Sequence, residues 1–87
     1  MSRTPRQIKL SRAVLEVLEN IPEGYLLPDE LLRSDISRLA VPPPSTAELD
    51  DAIRFADTKR RITGVASDDG MKWQIAPAGR AYLAENT

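Results

Sequence analysis

Residues 45–76, STAELDDAIRFADTKRRITGVASDDGMKWQIA, decide the fold. Ser45 is followed three residues later by Glu48, the reciprocal capping pattern of a helix start. Leu49, Ala52, Ile53 and Ala56 then recur at i, i+3, i+4 and i+7, one apolar stripe at helical spacing. Lys59, Arg60 and Arg61 place positive charge in the last turn of a helix running from about Thr46 to Arg60, where its dipole favours cations. After the helix, residues 61–66 and 71–76 form two short β-type runs. The second alternates, with Met71, Trp73 and Ile75 on one face and Lys72 and Gln74 on the other. Asp69 and Gly70 between the runs are a strong hairpin signal. The stretch therefore reads as a helix feeding a two-stranded hairpin.

Upstream, Leu10, Val14, Val17, Leu18 and Ile21 follow helical spacing over about Gln7 to Asn20, and Pro22 and Gly24 end that helix. Residues 1–6 read as a flexible basic arm, since Pro5 disfavours helix in the residue before it. Tyr25, Leu26 and Leu27 read equally as a brief edge strand or as an extended linker that plugs the core. Pro28, Asp29 and Glu30 suit a first helical turn. Leu31, Leu32, Ile36 and Leu39 continue as an amphipathic helix over about Asp29 to Ala40. Pro42, Pro43 and Pro44 cannot continue it and read as a rigid connector, or as a proline ligand for an aromatic groove. Downstream, Pro77 opens a last short helix whose Tyr82 and Leu83 dock on the body, and residues 86–87 read as a frayed tail.

Composition narrows the functions. At 87 residues the chain is one small domain with a thin core. It has no cysteine, which excludes disulfides and thiolate metal sites, and no histidine, which removes the commonest general base and metal ligand. No apolar run approaches the roughly 18 residues of a membrane span, and no signal-type stretch follows the basic start, so no membrane contact and a cytoplasmic location are expected. There is no glycine-rich phosphate loop and no base beside a serine or threonine, so no enzymatic activity and no cofactor are expected. The acid pairs Asp50/Asp51 and Asp68/Asp69 lack the ligand series of a calcium loop and read as solvated charge, so no metal is expected.

Net charge is −1, but its distribution is uneven. Residues 1–12 carry +4, residues 13–58 carry −7, residues 59–61 carry +3 and residues 62–87 carry −1. Two basic clusters flank an acidic middle.

The order helix, extended piece, helix, stiff turn, helix, hairpin, short helix resembles the winged helix-turn-helix superfamily. Leu49, Ala52, Ile53, Ala56, Arg61 and Ile62 stand where that family keeps its recognition-helix core and helix-to-wing junction. Residues 73–83, WQIAPAGRAYL, resemble its common ending, in which the second wing strand leads into a final helix. The likeness spans about residues 8–85. It implies an α+β fold: a winged helix-turn-helix of three helices plus a C-terminal β-hairpin wing and a short final helix, with residues 7–85 as one domain. It further implies a regulator of transcription that binds double-stranded DNA, as a homodimer, through the third helix and the wing.

Carried over residue by residue, that implication offers Thr46, Arg54, Thr58, Lys59, Arg60, Arg61 and Lys72, with Arg3 and Arg6 of the arm, as DNA contacts. Arg54 is the candidate base contact if it points outward. Lys59, Arg60 and Arg61 read equally well as a plain cation cluster at a helix end. Glu48, Asp50 and Asp51 at the helix start and Asp68 and Asp69 at the wing tip depart from a DNA-binding pattern, because carboxylates are repelled by phosphates. The alternative is a protein-interaction module whose acidic surface meets a basic protein partner. The two separate on one point: whether the arm joins Arg54, Lys59, Arg60 and Arg61 in a single positive face.

Overall fold

In the computed structural model, which describes residues 2–85, the elements run α1 (Pro5–Glu19), β1 (Leu27–Pro28), α2 (Asp29–Leu39), α3 (Thr46–Thr58), β2 (Ile62–Ser67), β3 (Gly70–Ile75) and α4 (Pro77–Glu85). The fold is α+β, with four helices and one three-stranded antiparallel sheet in the order β1–β3–β2.

The first helix begins two residues earlier than expected, at Pro5 instead of Gln7. Thr4 explains the difference. Its side chain accepts from the Gln7 backbone N–H at 3.1 Å, and the Gln7 side chain accepts from the Thr4 N–H at 2.9 Å, a complete capping box. Pro5 then occupies a first-turn position, where its missing N–H costs nothing. The expected flexible arm is thus corrected for Arg3 and Arg6, which are tied down as described below. The expected frayed tail at 86–87 lies outside the described residues.

Between α1 and α2 the chain resolves as a two-residue strand. Leu27 pairs with Trp73 and Pro28 with Lys72, while Tyr25 stays exposed. Pro28 precedes α2 as its cap residue, so Asp29 and Glu30 open the helix at its positive end. On α2 only Leu32 and Ile36 are buried. Leu31 and Leu39, expected on the apolar face, point to solvent. The connector contains a cis peptide bond at Val41–Pro42.

The Ser45–Glu48 capping box forms as expected, with the Glu48 N–H donating to Ser45 Oγ at 3.1 Å and the Ser45 N–H donating to Glu48 Oε1 at 3.0 Å. Leu49, Ala52, Ile53 and Ala56 are the buried stripe of α3. They meet Leu10, Val14 and Leu18 of α1, Leu32 and Ile36 of α2, Ile62, Trp73 and Leu83 in one continuous core. A fully buried leucine or isoleucine contributes about 1.5–3 kcal/mol relative to exposure, so these positions carry most of the favourable free energy.

The helix stops at Thr58, so Lys59, Arg60 and Arg61 are not in its last turn, as expected, but follow it. Arg60 adopts φ 58°, in the left-handed region, and turns the chain into β2. The Arg61 N–H still reaches Ala56 O at 2.9 Å, and Arg61 O accepts from the Ala76 N–H at 2.9 Å, which locks the helix end to the base of the hairpin. The hairpin pairs Ile62 with Ile75 and runs to Ser67 with Gly70, leaving Asp68 and Asp69 at its tip. Gly70 takes φ 111°, which a side chain disfavours.

Candidate nucleic-acid interface

The outer side of α3 follows from its buried stripe. Ala47, Asp51, Arg54 and Thr58 form the crest opposite that stripe. Glu48 and Phe55 lie on the flank towards the start of α1, and Asp50 and Asp57 on the flank towards α2 and the hairpin. Thr46, Arg54 and Thr58 are exposed.

Each of the first three carboxylates of α3 has an arginine. Arg3 donates through Nη1 and Nη2 to both oxygens of Asp51, at 3.2 and 2.9 Å, and Nη2 also reaches Ser11 Oγ at 3.0 Å. Arg6 donates to Glu48 Oε2 at 3.0 Å and to the carbonyl of Pro42 at 2.7 Å. Arg33 of α2 sits between Asp29 Oδ2 and Asp50 Oδ1, each at 2.7 Å. The guanidinium of Arg6 and the Ser45 N–H hold the Glu48 carboxyl below its usual range. Hydrogen bonding to Asp29 first, and to Asp50, raises Arg33 above its already high value.

Arg3 and Arg6 therefore meet α3, but not as free cations. Each is paired with a carboxylate of α3, so they are held in place and do not form the flexible arm expected from the sequence. The bidentate geometry at Asp51 is the stronger form of such a pair.

A second cluster surrounds Phe55. The Arg3 guanidinium lies 3.9 Å from the ring centroid, Lys59 Nζ 5.6 Å and the Arg61 guanidinium 5.7 Å. Arg61 also stacks on Tyr82 at 4.0 Å. These distances are those of cation–π contacts. Phe55 is thus half-buried beneath Arg3. Arg3, Lys59 and Arg61 are brought together here, while Arg54 and Lys72 line a groove on the other flank of α3.

That groove lies between the start of α2, α3 and the hairpin, with a volume of about 710 Å³. Ile53, Met71 and Trp73 line it, and Trp73 is the only tryptophan in the chain. Trp73 is buried against the core, and its indole N–H donates to Asp29 Oδ1 at 2.9 Å. Asp29 thereby joins β3 to α2, and through Arg33 to α3.

Sequence reasoning did not assign Asp29, Arg33 or Tyr82 these roles. The i, i+4 spacing of Asp29 and Arg33 was the one available signal. Among the described residues no group of three or more potential ligands could hold a metal ion, and no helix is long and apolar enough to cross a membrane. No family model, no curated protein and no solved structure matches this chain.

Proposed function

We propose that the chain is a winged-helix DNA-binding domain that contacts duplex DNA through the outer, C-terminal end of α3. The element order and the β1–β3–β2 sheet, whose hairpin emerges directly from α3, support the winged-helix layout.

The observation that carries the binding role is the charge balance along α3. At its start, Glu48 and Asp51 are matched one to one by Arg6 and Arg3. From residue 54 to 61, Arg54, Lys59, Arg60 and Arg61 face a single acid, Asp57. Among the described residues no ion pair occupies Arg54, Lys59, Arg60 or Arg61. The end of α3 therefore carries cations on both flanks, Lys59 and Arg61 beside Phe55 and Arg54 with Lys72 along the groove, and the pairs upstream reduce the repulsion that the helix's own carboxylates would exert on phosphates. Two copies on one duplex would double the number of phosphate contacts, which a single small domain needs for useful affinity.

The test is fluorescence anisotropy of a random-sequence duplex titrated at several salt concentrations. About three phosphate contacts give a logarithmic salt slope near −3. Arg54→Ala with Lys59→Ala, both exposed, is expected to weaken binding and to reduce that slope by about 2. Absence of binding at low salt, or an unchanged slope in the double variant, overturns the proposal.

A further inference from the structure

The groove between α2, α3 and the hairpin is poorly suited to a phosphate chain. Asp29, Glu30, Asp50, Asp57 and Asp69 line it against Arg33, Arg54 and Lys72. Arg33 is held by Asp29 and Asp50. Among the described residues no ion pair occupies Glu30, Asp57 or Asp69. Arg54 and Lys72 are outside any ion pair too, so three unpaired carboxylates, from α2, α3 and the hairpin tip, stand against two unpaired cations, and these unpaired groups carry a net charge of −1.

Its floor is apolar. Ile53 and Trp73 are buried against the core, and Met71 is partly exposed above them. Gly64 shapes this floor: a Cβ there would collide with the Trp73 ring and the Met71 methyl, so its absence lets both side chains lie across β2. An apolar floor beneath acidic walls matches one kind of side chain well, a long aliphatic stem ending in a cation.

We infer that this groove is a docking surface for a basic segment of a protein partner, which lays an arginine or lysine stem on Trp73 and Met71 and its charge among Glu30, Asp57 and Asp69. Charge complementarity selects this occupant over an acidic one. The groove shares Arg54 and Lys72 with the proposed DNA contacts, but the inference rests on its carboxylates and apolar floor.

Trp73 makes the test direct, because it is the only tryptophan in the chain and lines the groove. The probe is a capped five-residue peptide alternating leucine and arginine, titrated into the full chain, with the same peptide carrying glutamate in place of arginine as control. The expected result is a saturable change in emission with the basic peptide only. Asp57→Asn with Asp69→Asn, both at exposed positions, is expected to weaken binding about fivefold, with circular dichroism unchanged. Arg54→Ala separates this inference from the DNA proposal. It removes a cation from the groove lining and is expected to tighten peptide binding while weakening DNA binding. No saturable change, an equal response to the acidic peptide, or unaltered affinity in the double variant overturns the inference.

Discussion

Gly79 sets how closely α4 approaches the end of α3. A Cβ at this position would fall well inside van der Waals distance of the Arg61 carbonyl oxygen and against Ile75. That carbonyl already accepts from Ala76, so it cannot move away freely. Gly79→Ala is expected to destabilise the fold by about 1–3 kcal/mol, read as a lower urea midpoint at unchanged m-value. Glu48 makes a different prediction at the same scale. Its folded-state pKa is lowered, chiefly by Arg6. Its stabilising contribution is therefore fully present above the ordinary glutamate value and is lost as pH falls through the folded-state value. The difference in urea midpoint between the wild type and Glu48→Gln should be present at neutral pH and should close as the pH is taken below the ordinary glutamate value. A difference that stays constant with pH contradicts this.

At the scale of the elements, the amino-terminal residues act as a strap. Arg3 is bidentate to Asp51, stacked on Phe55 and bonded to Ser11, so one side chain joins the segment before α1 to both α1 and α3. Arg3→Ala is expected to cost about 1–2 kcal/mol. The loss should shrink in high salt, because the pair is partly exposed and screened. Urea melts at low and high salt check it.

The elements themselves were largely legible. The apolar stripes of α1 and α3, the Ser45–Glu48 box and the alternation of Met71, Trp73 and Ile75 each report a local period, and local periods survive folding. What failed was also physical. Thr4 and Gln7 form a capping box that moves the helix start back to Pro5. Arg60 in a left-handed conformation ends α3 before the cations expected inside it. Leu31 and Leu39 fit the apolar pattern of α2, yet about half of each stays exposed. Arg3 and Asp51 lie 48 residues apart, and no local pattern links them. The charged residues around α3 were visible in the sequence, but not the division between cations matched by carboxylates and cations outside any ion pair.

For the whole molecule, α1 is the organising element. It packs on α2, α3, α4 and β3, so the core is shared by every helix. Leu32 is completely buried within that core. Leu32→Ala is expected to cost about 2–5 kcal/mol, a large part of the stability of a domain this small. A loss of the cooperative thermal transition near room temperature would be its signature.

The strand order has a consequence of its own. Because β3 occupies the centre, β2 keeps one side of its backbone without a strand partner. Its six residues, Ile62 to Ser67, include no charge and no proline. Such a border is a template on which another extended chain can add, and proteins usually blunt it with lysine or proline. Val65 is exposed on this strand. Val65→Lys is expected to lower concentration-dependent association, measured by light scattering, without changing the thermal midpoint. Along this margin the molecule offers its backbone to a neighbour, and a charge there is the simplest guard.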